Sequence, residues 1–362
     1  MVLSLNPGGT ERLVVELAAR LHDTMPTAVC CLDEIGVWAG ELTASGIAVT
    51  ALDRRPGFRP SLGRGIAAAA RRHRADVIHA HHYSPFVYSC LARLAGSRAA
   101  LVFTEHGRLS DAPPSPKRRL ANRLLARIPG HVAAVSDELR RHLVGEGFGA
   151  GAVSVVYNGI DAGPVPSDRD RAGVRRELDL AGDAFVVGTV ARLDPVKDLG
   201  TLIEAAGATR QAATVLVVGD GPERARLEAL ARARARPGRV TFLGQRGDAR
   251  RLLAACDAYV NCSISEGISL TILEAMAATL PVVATAVGGT PEILDDSCGV
   301  LVAPRDPGAI GRALDALAAD ASRRRALGRA ARARVEQRFT LDRMIDEYRK
   351  IYLDAAGRRE RR

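Results

Sequence analysis

Two basic side chains stand close together after an apolar run in the second half of the chain. Arg192 follows the run 185–191, and Lys197 comes five residues later. Two cations at the end of one strand match the two negative charges of a pyrophosphate, which charge-assisted hydrogen bonds hold strongly. Lysine is rare in this chain, which favours a function for Lys197. The alternative is a solvated group of charges with Asp194 and Asp198.

Two glutamates bracket the start of a predicted helix further on. Glu266 follows the apolar run 258–263, and Glu274 lies eight residues later, inside the helical segment. A carboxylate in that position can accept hydrogen bonds from ribose hydroxyls. An exposed helical acid is the alternative for Glu274, and its apolar neighbours disfavour it. The backbone N–H groups around Ile268, Ser269 and Leu270, at the helix start, would face a ligand.

A glycine pair opens the first predicted helix. Gly8 and Gly9 precede Thr10 and the helical segment 11–20. Because glycine has no Cβ, a phosphate or sugar could approach this backbone closely. A plain tight turn is an equally good interpretation. The chain has no GxGxxG and no GxxxxGK[ST] pattern, which argues against a dinucleotide oxidoreductase and a P-loop NTPase.

The histidines all lie in the first half, and several follow strands. His79 and His81 end one apolar run, and His106 ends the next. We expect His81 and His106 to supply hydrogen-bonding groups at a ligand site and His79 to be a satisfied core residue. A metal site at His79 and His81 is a weaker alternative, because the sequence suggests no carboxylate or cysteine partner.

The elements that would position these residues follow a regular order. Short β-branched runs alternate with helical segments such as 64–74, 118–127, 201–207, 222–235 and 306–317. Apolar strands alternating with helices indicate parallel sheets covered on both faces, and the pattern occurs twice. The predicted strands are 28–33, 47–52, 76–81, 100–105, 131–136 and 153–157, then 185–191, 214–219, 240–243, 258–263, 281–286 and 299–302.

The boundary between the two halves is predicted at 163–166, where two prolines stiffen the chain. We therefore expect domains at 1–163 and 167–340, followed by an amphipathic helix in 341–362. Only residues 1–5 precede the glycine loop, so we expect either that the sequence starts late or that the first strand is short.

Composition bounds the function classes. A chain of 362 residues that is 47% hydrophobic and 25% charged fits two soluble domains. The net charge of +10 comes from an arginine excess that a GC-rich coding bias explains for the most part, and attraction to anionic ligands is the functional alternative. An aromatic content of 4% disfavours nucleic acid as a partner. The six cysteines have no metal spacing, which is typical of a reducing compartment. We expect a cytoplasmic protein, because no export signal or membrane span is evident.

Taken together and in this order, the motifs resemble those of the family 4 glycosyltransferases. The resemblance covers nearly the whole chain and is most specific in the second half. Its parts there are 188–192 with Lys197, then 218–223, the E-x7-E pair Glu266 and Glu274, and 287–292; in the first half they are 7–11, 76–81 and 104–108.

The resemblance implies an α/β GT-B fold with two doubly wound Rossmann-like domains facing a central cleft. The first domain would bind the acceptor, the second the nucleotide sugar, and the helix in 341–362 would pack back on the first. The implied reaction is transfer of a hexose from a UDP- or GDP-sugar, with retention of configuration and no metal ion or other cofactor. The acceptor would be a glycan or lipid-linked glycan, as in exopolysaccharide assembly. The basic runs at 71–74, 117–127 and 140–141 could hold the protein on an anionic inner membrane surface, and a solvated arginine-rich surface is an equally good interpretation.

The resemblance also implies roles for single residues. Arg192 and Lys197 would neutralise the diphosphate, Glu274 would hold the ribose, and Glu266 would lie beside the sugar hydroxyls. Gly267–Leu270 would face the phosphates. In the first domain, His106 would line the sugar site, with His81 nearby and Gly8 and Gly9 against the substrates.

Two positions depart from the family pattern. Thr279 stands where the family has glycine before Pro281, and Ile268–Ser269 replaces the usual Phe-Gly or Met-Pro pair. The second change leaves the donor sugar open. A nucleotide-sugar epimerase or hydrolase, or a non-catalytic binding protein of the same fold, are the competing hypotheses.

Overall fold

The computed structural model describes residues 1–108, 115–210, 213–235 and 239–360. The chain forms two compact units. Unit 1 consists of Met1–Asn158 and Asp342–Arg362, and unit 2 consists of Gly159–Leu341.

Unit 1 is built on parallel strands. The order β3-β4-β5-β6 forms one sheet, and β1 pairs with β2 in another. The bounds are β1 Ala28–Cys31, β2 Ala48–Ala51, β3 Val77–His81, β4 Ala100–Glu105, β5 His131–Ala134 and β6 Val153–Val155. The helices of its first segment are α1 Gly9–Leu21, α2 Ala39–Ala44, α3 Leu62–Arg72, α4 Tyr83–Leu94, α5 Pro116–Leu125 and α6 Asp137–Gly145. The second segment supplies one more helix, α15 Leu341–Glu360.

The predicted first strand is reduced to a few extended residues. Val2 forms an isolated parallel bridge with Cys31. The backbone of Val2 bonds to β1, and the His81 N–H donates to the Met1 carbonyl at 2.9 Å. Residues 1–3 therefore lie between β1 and β3 and place the following glycine loop at the carboxyl ends of the strands.

Unit 2 contains one six-stranded parallel sheet in the order β12-β11-β10-β7-β8-β9. One apolar cluster joins its strands to α8 and α13, and a second joins Val218 of β8 to α7 and α10. The strands are β7 Phe185–Val190, β8 Ala213–Val218, β9 Val240–Gly244, β10 Ala258–Asn261, β11 Val282–Thr285 and β12 Gly299–Val302. The helices are α7 Asp168–Glu177, α8 Leu199–Ala208, α9 Arg224–Arg234, α10 Ala249–Leu252, α11 Leu270–Ala277, α12 Thr290–Ile293, α13 Pro307–Ala319 and α14 Ala321–Arg338.

All twelve predicted strands are present. The predictions run too far at several carboxyl ends: β10 ends at Asn261 rather than at 263, and β11 at Thr285 rather than at 286. The reason is that Cys262 and Ser263 stay buried after they leave the ladder. Apolar composition marks burial, whereas a strand also needs a paired backbone.

Arginine side chains hold the segment that enters unit 2. Arg332 donates to the carbonyls of Ala162 and Gly163 and to that of Ala277 at the end of α11, at 3.0, 2.8 and 2.7 Å. Arg250 donates to the Asp161 carbonyl at 2.7 Å. Part of the proline-rich connector is therefore fixed to unit 2.

Thr279 takes the conformation that glycine usually supplies. α11 ends at Ala277, and Thr279 follows with φ +59°. The left-handed region is unfavourable for a β-branched residue. The helix end therefore keeps its geometry despite the departure from the family pattern, at a cost in backbone strain.

No helix within the described ranges combines the length and apolar character needed to cross a bilayer.

Candidate active site

Lys197 and Glu266 meet at the carboxyl edge of the unit 2 sheet. Lys197 ends the short 3₁₀ turn Pro195–Lys197, which follows β7. Its Nζ lies 2.6 Å from Oε1 of Glu266. The two residues are 69 positions apart in sequence, and they meet because β7 and β10 are sheet neighbours. The pair lies where parallel sheets bind ligands.

The Glu266 carboxylate is held by more than Lys197. Its side chain is 9% exposed. Oε1 also accepts a hydrogen bond from Ser263 Oγ at 2.6 Å and from Asn261 Nδ2 at 3.3 Å. All three bonds reach the same oxygen. These three bonds fix the carboxylate group. They leave its second oxygen, Oε2, outside the bonds, and the protein sets the direction in which Oε2 points.

Arg192 makes a different contact. Its Nε lies 2.6 Å from Oδ2 of Asp194, and its side chain is 72% exposed. For Arg192 the structure therefore shows the local charge pair that the sequence left as an alternative. Lys197 pairs with Glu266 instead. The two cations lie in the same loop after β7, but each pairs with a different carboxylate, Arg192 with Asp194 and Lys197 with Glu266.

A glycine turn braces this basic loop from the neighbouring strand. A Cβ on Gly219, which has φ +136°, would overlap the Ala191 carbonyl oxygen. The Leu193 N–H donates to the Asp220 carbonyl at 2.9 Å, and Glu223 donates back to Leu193 at 3.0 Å. The 219–223 motif therefore acts structurally here, by setting the path of the Arg192 loop.

A second glycine turn packs against Glu266 itself. Gly288 has φ +53°, and a Cβ there would overlap the Glu266 carbonyl oxygen. The Gly289 N–H donates to the carbonyl of Gly267 at 3.1 Å. The loop after β11 thus holds the loop after β10, so the 287–292 motif packs against the motif that begins at Glu266.

The start of α11 lies next to this pair. Ser269 is its N-cap, and its Oγ accepts from the Ile272 N–H at 3.4 Å. Gly267, Ile268 and Ser269 are buried, while Leu270 and Glu274 are half-buried. Ser269 therefore satisfies one N–H of the first turn and fixes where the helix begins.

Tyr259 joins the elements beneath the site and was not identified from the sequence. Its hydroxyl donates to the Val190 carbonyl at 3.2 Å and accepts from the Val190 N–H at 3.3 Å. Burial raises its pKa, and the carboxylates of Glu274 and Glu266 add to the effect. Both glutamates therefore lie near one buried phenol at the end of β7.

Four histidines of unit 1 form a second group, at the ends of β3 and β4: His79, His81, His82 and His106. His81 Nδ1 lies 3.0 Å from His106 Nε2. Burial lowers the pKa of both rings well below the ordinary value, and the neighbouring histidines add to it. His79 bonds to Tyr352 and Thr104 at 2.6 and 2.8 Å, as expected of a satisfied core residue.

A carboxylate lies beside His82, the neighbour of His81 in sequence. Glu105 Oε1 lies 2.8 Å from His82 Nδ1, and His82 Nε2 lies 2.9 Å from Thr10 Oγ1. Burial lowers the pKa of His82, but the hydrogen bond and charge of Glu105 outweigh it and raise the pKa overall. Glu105 ends a predicted strand directly before His106, which was the available signal. Within the described ranges, no three His, Cys, Asp or Glu side chains are grouped to hold a metal ion.

The glycine loop lies beside this group through Thr10. Gly8 is the N-cap of α1, and Gly9 is its first residue. A Cβ on Gly8 would overlap the Glu11 carboxylate. A cavity of about 370 Å³ opens next to His82, and its lining is mixed in charge: Leu3, His82, Tyr83, Ser84, Glu105, Gly107, Arg108 and Arg118.

Comparisons with known proteins match both halves of the chain. The model of Glycosyltransferase Family 4 matches residues 7–163, and that of Glycosyl transferases group 1 matches 170–334. The D-inositol 3-phosphate glycosyltransferase of Salinispora tropica is 34% identical over 330 residues, which is 83% of this chain and 68% of that protein.

The chain belongs to glycosyltransferase family 4.

Other relatives of this family 4 enzyme extend the comparison. The N-acetyl-alpha-D-glucosaminyl L-malate synthase of Bacillus anthracis is 28% identical over 305 residues, which is 83% of this chain and 80% of that protein. Among solved structures, Anabaena Alr3699/HepE in complex with UDP-glucose is 26% identical with a TM-score of 0.87, covering 97% of this chain and 98% of that one. The chain is therefore a GT-B glycosyltransferase with two Rossmann-like units.

Proposed function

We propose that this glycosyltransferase moves a hexose from a nucleoside diphosphate sugar to a glycan or lipid-linked glycan, with retention of configuration and without a metal ion. The observation that carries the proposal is the Lys197–Glu266 contact of 2.6 Å beside the start of α11. An ammonium and an oriented carboxylate at one sheet edge suit a ligand with a diphosphate at one end and sugar hydroxyls at the other.

In unit 2, Lys197 and Arg192 neutralise the diphosphate. The Lys197 Nζ is already held at the sheet edge, whereas the exposed Arg192 turns from Asp194 to the ligand. The N–H groups of Gly267–Leu270 lie beside the phosphates, Glu266 accepts from sugar hydroxyls, and Glu274 accepts from the ribose. Charge growing on the leaving phosphate is stabilised most strongly, which is the main source of acceleration.

In unit 1, His81 and His106 supply hydrogen bonds rather than charge. His106 and His81 have lowered pKa values because they are buried, so both are neutral near pH 7. Neutral imidazoles suit sugar and acceptor hydroxyls, which donate and accept in turn. Gly8 and Gly9 keep the adjoining backbone open to the substrates.

The reaction proceeds by displacement on one face of the sugar. The bond from the anomeric carbon to the diphosphate oxygen breaks, and the acceptor oxygen bonds to the same face. The acceptor proton passes to the leaving phosphate. The protein contributes positioning and electrostatics, since no protein nucleophile is required in this route.

The donor is proposed to be UDP-linked. The Anabaena relative was solved in complex with UDP-glucose and matches 97% of this chain at 26% identity. GDP-sugars are the alternative, and Ile268 and Ser269, which depart from the usual pair, are the positions proposed to select the sugar.

The location that follows is cytoplasmic, with association at the inner membrane face in exopolysaccharide or lipid-linked glycan assembly. The basic runs of unit 1, at 71–74, 117–127 and 140–141, support this part of the proposal, because anionic lipids attract clustered Lys and Arg side chains.

The test is transfer from UDP- and GDP-sugars to glycan acceptors, with Lys197→Ala and Glu274→Ala as site variants. We expect each to lower kcat/KM about 100-fold, the order found when one electrostatic contact to a transition state is lost. Lys350→Ala and Glu204→Ala change an exposed lysine and an exposed helical glutamate and serve as matched controls. If Lys197→Ala and Glu274→Ala keep full activity, the site assignment is wrong.

Product analysis by NMR separates the competing functions. An epimerase converts the nucleotide sugar without an acceptor, a hydrolase releases free sugar, and a binding protein leaves it unchanged. The transferase requires the acceptor for its main product, and the anomeric coupling in that product reports retention or inversion.

A further inference from the structure

Helix α5 turns two of its three leucines outward, while the third, Leu125, is half-buried. Its one buried residue is Asn122, whereas Leu120 and Leu124 are 60% and 56% exposed. A surface helix of a globular protein ordinarily buries its apolar stripe and exposes its polar face. In α5 this order is reversed.

Polar contacts fix the helix in this orientation. Asn122 Nδ2 donates to the Glu146 carbonyl at 2.8 Å, and the Tyr83 hydroxyl donates to Asn122 Oδ1 at 2.5 Å. Arg118 forms an ion pair with the buried Glu146 carboxylate. Rolling the helix to bury its leucines would break these bonds and leave a buried carboxylate unpaired, which is strongly unfavourable.

Basic residues flank the exposed leucines. At about 100° per residue, Leu120 and Leu124 centre on the side opposite Asn122. Arg123 lies on one side of them and Lys117 on the other, Arg127 follows in the turn directly after the helix, and all three are exposed. The helix contains no Asp or Glu. These five residues, Lys117, Leu120, Arg123, Leu124 and Arg127, are called the α5 outer face below.

We propose that the α5 outer face docks on the surface of an anionic lipid bilayer. The leucines enter the boundary between headgroups and acyl chains, and the three cations bind lipid phosphates around them. A cationic surface with an apolar centre matches the charge and layering of such a bilayer. The inference names the surface for the membrane association proposed above, and it rests on that part of the proposed function.

Docking by this face also relates the bilayer to the cavity in unit 1. Arg118 lies on the inner side of α5 and lines the cavity of about 370 Å³. One helix therefore presents lipid contacts outward and a cavity wall inward. A lipid-linked acceptor could reach the cavity while its lipid remains in the bilayer.

The experiment is co-sedimentation of the full chain with vesicles, without donor or acceptor. The vesicles are pure phosphatidylcholine, or phosphatidylcholine with about one third phosphatidylglycerol. We expect binding to the anionic vesicles, weakened by salt because exposed charges are screened. Leu120→Gln/Leu124→Gln is expected to weaken binding at least about tenfold, and Lys117→Gln/Arg123→Gln/Arg127→Gln about 100-fold.

Leu94→Gln is the matched control, because Leu94 is a 76% exposed leucine on another helix of unit 1. It should bind within about twofold of the parent chain. Failure of the parent chain to bind anionic vesicles overturns the proposal, as does unchanged binding by the leucine variant. A parent dimer in light scattering that the leucine variant dissociates would assign the face to a second copy instead. Transfer activity plays no part in this readout, so failure of the transferase proposal is seen separately.

Discussion

The contact between Lys197 and Glu266 leads to a prediction that separates binding from turnover. Glu266→Gln keeps the side chain's shape but removes the charge proposed to meet the sugar hydroxyls. We expect kcat/KM to fall about 100-fold, while the affinity for UDP, which has no sugar, stays within about threefold. Calorimetry with UDP and initial-rate kinetics measure the two quantities.

Glu204→Gln, an exposed glutamate on α8, is the control for this charge change. A parallel loss of UDP affinity and turnover in Glu266→Gln would show that the carboxylate acts by placing Lys197, and would contradict its assignment to the sugar.

The buried histidines predict a loss of stability in acid. His79, His81 and His106 have lowered pKa values because they are buried, so their folded forms bind protons only well below the unfolded value of about 6.5. As pH falls below about 6.5, the unfolded state gains protons that the folded state does not, and stability decreases. His82 acts oppositely: its raised pKa adds stability that is fully present below about 6.5 and is lost as pH rises through the folded value.

Three histidines with lowered pKa values oppose one histidine with a raised pKa value, so the net effect of acid is a decrease in stability. We expect a lower Tm for unit 1 at about pH 5.5 than at about pH 7.5, measured by calorimetry. His106→Gln should flatten the dependence. A Tm that is higher in acid would contradict this assignment of charge states.

At this scale the sequence identified the charged residues but not all of their partners. The motif spacing placed Lys197 and Glu266 at strand ends, and the parallel sheet then brought them together. It could not identify Tyr259 or the contact between Glu105 and His82, because a side chain's direction at a strand end depends on register. The Arg192–Asp194 contact was foreseen only as an alternative, since neighbours in sequence compete with distant partners for the same cation.

Among the elements, the end of α11 is a point of stored strain. A non-glycine residue in the left-handed region costs about 1–3 kcal/mol in backbone strain. Replacement by glycine removes this strain, but part of the gain is lost because glycine loses more conformational entropy on folding. Thr279→Gly is therefore expected to raise the free energy of unfolding of unit 2 by about 1 kcal/mol. Urea unfolding followed by circular dichroism measures the change.

The comparison variant is Gly328→Ala on α14. A Cβ there would overlap the Thr279 carbonyl oxygen, so we expect a loss of about 1–3 kcal/mol. If Thr279→Gly also destabilises the chain, the threonine side chain contributes more than its backbone costs.

The positions of the strands followed from the sequence because the apolar runs are short, β-branched and regularly interrupted by helices. The segment before the glycine loop could not be defined in the same way. Residues 1–3 are extended and bonded on both sides, yet only Val2 forms a ladder bridge. Pairing of so short a segment depends on its neighbours rather than on its own pattern.

For the whole molecule, we predict that UDP stabilises the two units unequally. A ligand held by Lys197, Glu274 and the start of α11 contacts unit 2, so unit 2 alone gains about 2.7 kcal/mol at a UDP concentration 100 times Kd. Scanning calorimetry should then show two transitions, of which UDP raises one.

Lys197→Ala should remove this shift, and Lys350→Ala should preserve it. Equal shifts of both transitions would contradict binding to unit 2 alone and would require contacts from unit 1 in the UDP complex.

Unit 1 is assembled from two distant parts of the chain, and this bears on biosynthesis. Tyr348 and Tyr352 of α15 bond to Thr104 and His79 on the first sheet. A ribosome has therefore already released every residue of unit 2 before the last helix of unit 1 can dock. Unit 2 is continuous in the chain and can fold before α15 docks, whereas unit 1 must wait with β3 and β4 partly uncovered. The nascent chain's need for chaperones should thus fall on the half that is made first.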